Sequence, residues 1–179
     1  MLAALAVRIS PAERRNWAEA LRAELPYVPA GAAMSFALGG VVTALRLRVA
    51  HPPFVLGTAR YGLAVGALVW AALHMRMWLH LNSVDPSLPA ALSLATGIVF
   101  AIGGLITALR GLRPTVWLAL PMLVLLGLYT GAAGVLMPQS PNRAFYQALA
   151  LEDAVALLSA ITVAALARCY AATRRTPPR

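Results

Sequence analysis

Residues 54–79 read FVLGTARYGLAVGALVWAALHMRMWL. This run exceeds the roughly 20 apolar residues that carry a helix across a hydrocarbon layer about 30 Å thick. It holds no acidic residue, and His51-Pro52-Pro53 closes it at the start. A soluble helix this long would expose a polar face, and no such face recurs here. The stretch therefore reads as a membrane span, and the rest of the chain is arranged around it.

Three further stretches meet the same requirement: residues 88–109, 115–136 and 144–167, each bounded by charge, proline or a polar turn. The expected fold is all-α, a four-helix transmembrane bundle preceded by one or two cytoplasmic or interfacial amphipathic helices. Its divisions are a helical leader (1–53), the bundle (54–168) and a basic cytoplasmic tail (169–179). Composition agrees, because 60% of the 179 residues are hydrophobic and 12% charged, against roughly 25% charged in soluble domains. All fifteen basic residues are arginine, against six acidic ones. They sit at segment ends rather than as a continuous patch, which argues against nucleic acid as a partner and for the lipid bilayer.

Arginine placement sets an expected orientation. The connection at 80–87 has none, that at 110–113 has two, and that at 137–143 has one. The tail carries Arg168, Arg174, Arg175 and Arg179, and the leader Arg8, Arg14, Arg15, Arg22, Arg46 and Arg48. By the positive-inside rule both termini are cytoplasmic, in a multi-pass protein of the bacterial inner membrane. The first ten residues, MLAALAVRIS, lack the basic region that opens a signal peptide and read as retained.

In the leader, Ser10-Pro11-Ala12-Glu13 has the form of a capping box that starts a helix over about 11–25. Trp17, Leu21 and Leu25 recur every four residues among Arg14, Arg15, Glu19, Arg22 and Glu24, giving a narrow apolar stripe on a charged rod. Residues 30–45 carry no charge but are rich in alanine and glycine, and sixteen weakly apolar residues fall short of a span. They read as a second amphipathic or interfacial helix; as a fifth span they would carry Arg8, Arg14, Arg15 and Arg22 outside. Small residues four apart occur in every span: Gly62 and Gly66, Gly97 and Ala101, Gly127 and Gly131, and Ala156, Ala160 and Ala164. Such pairs let helices approach closely in lipid.

Ionisable residues inside apolar spans are costly and mark the candidate sites. They are Arg60, His74, Arg76, Glu152 and Asp153. In the expected orientation His74 and Arg76 share the outer leaflet with Glu152 and Asp153. An ion pair from Arg76 to Glu152 or Asp153 is therefore expected, as a clamp between helices or as a polar ligand site. His74 and His80, with Met75 and Met77, are possible ligands for a metal or haem iron. Six residues of helix turn the two histidines about 120° apart, so they do not chelate one ion jointly. Adjacent Glu152 and Asp153 likewise diverge by about 100°. No cofactor is expected, no phosphate loop, HExxH, GxSxG or CxxC occurs, and Ser35, Ser93 and Ser159 lie in apolar contexts without a helical histidine partner. Lone Cys169 reads as a small apolar filler.

The run from Glu13 to Leu25, ERRNWAEALRAEL, followed by Phe36-Ala37-Leu38-Gly39, resembles the cytoplasmic leader of a loose group of small bacterial membrane proteins. These carry an ERRxWxEAMxAEL-like helix and an FALG-like second helix before their spans, and Leu21 stands where methionine is usual. The group tends to be associated with transcriptional regulators or sigma factors. The resemblance implies a regulatory role in which Trp17, Leu21, Leu25, Arg14 and Arg22 meet a cytoplasmic protein partner; it brings no catalytic residues. The expected function is thus a non-enzymatic polytopic membrane protein with an interaction leader. The alternatives are a small transporter or channel, assembled as a homo-oligomer around a polar site, and a haem- or metal-binding membrane protein.

Overall fold

The computed structural model describes residues 1–84, 88–136 and 143–174 of the chain. Every regular element among them is helical: α1 (Leu2–Ile9), α2 (Arg15–Glu24), α3 (Ala30–Val49), α4 (Pro52–Val84), α5 (Leu88–Arg110), α6 (Leu112–Leu136) and α7 (Arg143–Thr173), with single 3-10 turns on either side of α2. The all-α class is as expected. Residues 85–87, 137–142 and 175–179, expected as two polar connections and the end of the basic tail, lie outside the described residues. Two compact units result, Met1–Val55 and Leu56–Arg179.

The first unit departs from the expected leader at its start. Residues 2–9 form a helix of their own, and Ser10 closes it rather than opening the next: its hydroxyl donates back to Ala6 O at 2.8 Å. No capping box forms, since the following 3-10 turn has no side-chain cap and Glu13 reaches 38 residues on to His51 Nε2, 3.1 Å away. α2 buries Ala18, sets Leu21 against α3 and leaves Arg14, Arg22 and Trp17 exposed. A Cβ placed on Gly40 would stand 2.7 Å from Leu21 Cδ2. Leu21 at Gly40 and Glu13 at His51 make α2 run antiparallel to the last dozen residues of α3. Beside it, Arg48 Nη1 donates to Ile9 O at 3.4 Å.

Four described helices are long and apolar enough to cross a membrane: α3, then residues 52–83 of α4, 90–110 of α5 and 147–173 of α7. In α6 the apolar stretch that can be assessed, Leu112–Val124, is shorter. The set thus differs from the expectation at α3. Length and composition suit α3 to a span. The charged residues of α2 lie exposed along its C-terminal half, and ionised side chains facing hydrocarbon are costly. On the face of α3 away from α1 and α2, Met34, Leu38, Val42, Leu45 and Val49 form an exposed apolar stripe.

In the second unit, α5 buries Ala90, Ser93, Gly97, Phe100, Gly104 and Thr107. Those steps of three and four have the 3.5-residue period of helices that wrap into left-handed pairs. The facing stripe of α4 is Ala64, Ala67, Ala71 and His74, and that of α7 includes Ala150, Asp153, Leu157, Ala164, Ala167 and Ala171. Small residues bring the backbones together. A Cβ on Gly104 would lie 3.0 Å from Ala64 O, and one on Gly97 would lie 3.2 Å from Ala71 O. Of the other expected pairs, Gly62 and Gly66 face outward with nothing within 4 Å, as does Gly127; Gly131 lies outside the residues whose surroundings are described. α7 runs on to Thr173, so the tail expected from 169 begins as helix.

Arg60, an intramembrane charge by sequence, has a structural task. Its guanidinium donates through Nε (2.8 Å) and Nη2 to Ala108 O, and through Nη2 to Leu109 O at 3.3 Å. These are C-terminal carbonyls of α5 that have no partner within the helix. Gly111, at φ 86°, ends α5 by a left-handed turn whose N–H reaches Thr107 O at 3.0 Å. Arg60→Ala is expected to cost about 1–2 kcal/mol of stability, as charge-assisted hydrogen bonds do, and Arg60→Lys to recover only part, because a point ammonium replaces a fork. Thermal unfolding in detergent measures both.

Candidate functional site

His74, Ser93 and Asp153 come from three helices and are 3%, 4% and 4% exposed. His74 lies on α4 two turns beyond the small-residue contact at Ala67, directly across from Gly97. The missing side chain at Gly97 lets α5 approach His74 Cβ. Ser93, one turn before Gly97, then falls beside the histidine. Its hydroxyl donates to His74 O at 3.0 Å, and its Oγ stands 3.3 Å from His74 Nδ1. From α7, Asp153 Oδ1 lies 2.9 Å from His74 Nε2 and accepts Trp70 Nε1–H at 2.6 Å. Phe100 stacks nearly parallel to the imidazole, with planes at 10° and centroids 6.2 Å apart, which limits how the ring can turn.

The depth of this cluster follows from helical rise. Arg60 meets the α5 terminus, and Thr107 and Thr115 share a hydrogen bond of 2.9 Å at the start of α6. Arg60, Arg110 and Arg113 thereby mark one end of the bundle. His74 is fourteen residues from Arg60, and Ser93 seventeen from Arg110, or roughly 21–25 Å at 1.5 Å per residue. The cluster therefore lies toward the opposite end of the bundle.

A cavity of about 280 Å³ opens beside it, lined by His74, Ser93, Thr96 and Asp153 and by apolar side chains that include Met77, Leu92, Val99, Met122 and Leu149. Both hydrogen bonds to Asp153 fall on Oδ1, and Oδ2 makes none among the described residues. No sealed side-chain nitrogen or oxygen among the described residues lacks a partner. Oδ2 is therefore open to the cavity.

The other site residues read from sequence fall elsewhere. Arg76 and Glu152 are exposed, and Asp153 is engaged by His74, so the ion pair expected from Arg76 to Glu152 or Asp153 does not form. Helix rotation is the reason: Arg76 is about 200° around α4 from His74, and Glu152 about 100° around α7 from Asp153. His80 is exposed and apart from His74. Among the described residues no three metal-ligating side chains of His, Cys, Asp or Glu gather. The sequence does not mark Ser93 and Trp70 as site residues. Trp70 lies four residues before His74 on the same face, which was a usable signal; Ser93 had none, because its pairing depends on where α5 meets α4.

Glu13 is the one described group whose ionisation is clearly displaced. Its own backbone hydrogen bond, with a further contribution from His51, holds the exposed carboxyl below its usual value. A lowered carboxyl stabilises the fold above the unfolded-state value and loses that contribution as pH falls through the folded one. Amide protection relative to intrinsic exchange at residues 12–14 and 51 should fall on acidification, and Glu13→Gln should remove that acid dependence.

The chain matches no known protein-family model, no curated protein and no solved structure.

Proposed function

We propose that the α4–α7 bundle of this polytopic membrane protein is a binding site for a small solute, with the His74–Asp153 pair as its polar pole, and that the protein acts as a carrier. The observation that carries this reading is an unbonded carboxylate oxygen on a buried aspartate, open to a cavity with mostly apolar walls. Ligand sites combine an apolar lining with a few converging polar groups in this way. A buried ionisable pair in a membrane helix is also a costly feature to keep without use. By arginine placement the marked end of the bundle faces the cytoplasm and the cavity lies toward the other side.

The test uses the purified chain in phosphatidylcholine nanodiscs and small anionic, neutral and cationic organic solutes. At least one class is expected to raise Tm in the native chain and not in Thr96→Trp, which fills the cavity. Absence of stabilisation by every class would overturn the reading.

The interaction leader remains a second reading, supported by the exposed stripe of α3 and by the resemblance of residues 13–39 to regulatory leaders. Deleting residues 1–29 should abolish co-purification of a cytoplasmic regulator while membrane insertion persists; regulator binding that survives the deletion would sink it.

A further inference from the structure

We infer that the cavity takes a compact organic ammonium ion, held at Asp153 Oδ2, and that its binding displaces one proton from His74. This inference rests on the reading of the cavity as a solute site and names its ligand class.

The hydrogen-bond inventory supplies the first half of the argument. The Ser93 hydroxyl has one hydrogen, and it is directed at His74 O. Toward Nδ1, Ser93 can then only accept. A carboxylate Asp153 Oδ1 can likewise only accept at Nε2, as it does from Trp70 Nε1–H. Both imidazole nitrogens thus face acceptors, the arrangement that suits a ring carrying two hydrogens. The His74–Asp153 pair is then a cation and an anion side by side, with no net charge of its own. The remaining ring neighbours, Phe100 from α5 and Trp70 from α4, carry no charge. Ala119, Met122 and Leu123 of α6, packed near them, carry none either, and Arg76 and Glu152 are on exposed faces.

Charge and volume supply the second half. Beside the neutral Thr96 hydroxyl, the open acceptor among the described residues is a carboxylate oxygen, which calls for an N–H or O–H donor and favours a charged one. About 280 Å³ is room for roughly nine waters at about 30 Å³ each, and so for an organic cation of similar heavy-atom count with an apolar body against the methionine and leucine walls. Adding such a cation beside the imidazolium places two positive charges on one carboxylate in a low-dielectric setting, which is strongly unfavourable. Charge balance returns when Nδ1 gives its proton to bulk water. Nε2–H continues to donate to Oδ1, and the Ser93 hydroxyl turns from His74 O to donate to the freed Nδ1. One ammonium enters, one proton leaves, and the net charge of the site is unchanged.

The probe is benzylamine, which stays protonated from pH 5 to 8, with benzyl alcohol as its neutral counterpart. Binding to the full chain in phosphatidylcholine nanodiscs is followed by calorimetry. Benzylamine is expected to bind at least tenfold more tightly than the alcohol. Its affinity should rise up to tenfold per pH unit while His74 carries its second proton, the slope for release of one proton. His74→Gln should retain binding and lose the slope; Asp153→Asn should lose the preference for the amine. Equal affinity for amine and alcohol, or a benzylamine affinity independent of pH in the native chain, overturns the inference even if Asp153→Asn does not fold. A preference for an anionic or neutral solute instead would overturn it while leaving the solute-site reading in place. Replacing phosphatidylcholine by phosphatidylethanolamine distinguishes the source of the ammonium: weakened benzylamine binding assigns it to a lipid headgroup, and unchanged binding to a free amine.

Discussion

Asp153→Ala is expected to destabilise the bundle by about 3–5 kcal/mol, the loss seen when one partner is removed from a buried ion pair. The substitution strips the acceptor from both Trp70 Nε1–H and His74 Nε2. A simple hydrogen bond between membrane helices averages only about 0.6 kcal/mol, so the size of the loss separates a desolvated charge pair from ordinary polar contacts. Asp153→Asn keeps an oxygen for both donors but removes the negative charge, so it should recover only part of that loss. The double variant His74→Leu with Asp153→Leu should be more stable than Asp153→Ala, because no orphaned donor to Asp153 remains on His74 and the volume is refilled. Unfolding in mixed detergent and dodecyl sulfate micelles, followed by circular dichroism, gives all three values. A loss for alanine no larger than that of a simple hydrogen bond would mean that no charge pair is held at this position.

Gly104→Val should cost about 2–3 kcal/mol by the same measurement, as overpacking does, whereas Gly66→Val should change stability by less than about 0.5 kcal/mol. The two glycines look alike in sequence, both within apolar helices rich in alanine. They differ in what stands opposite. A side chain on Gly104 meets the Ala64 carbonyl at 3.0 Å and Ala67 Cβ at 3.1 Å, and a backbone oxygen cannot swing aside. At Gly66 nothing lies within 4 Å. Gly97→Val should resemble Gly104→Val in cost and should also move His74, whose Cβ is 3.2 Å from the added atom; loss of the Trp70 bond to Asp153 is then visible as a shift in Trp70 fluorescence.

That contrast shows which parts of the architecture are legible in sequence. Apolar run length identifies α4, α5 and α7, because the thickness of a bilayer is a one-dimensional constraint. Which small residues pack is a two-dimensional question, answered by the 3.5-residue stripe through Ser93, Gly97, Phe100 and Gly104 and not by four-residue pairs such as Gly62 and Gly66. The site needs a third dimension. His74 and Asp153 stand out as ionisable residues at similar depth, yet rotation about each helix decides that Asp153 meets His74 while Arg76 turns away. Local rules misread the leader for a related reason: Ser10 and Glu13 have the right spacing for a cap, but the Ala6 carbonyl of α1 and a distant histidine compete for the same atoms.

The reversal at Gly111 bears on how the protein is made. One left-handed residue separates α5 from α6, so the two helices are joined as a tight hairpin. Arg60, synthesised some fifty residues earlier, can close over the α5 carbonyls only after that hairpin has turned. The arginine on α4 thus becomes a latch set late in biogenesis, and its loss should show first as slow assembly of the nascent chain, before it shows in the stability of the finished protein.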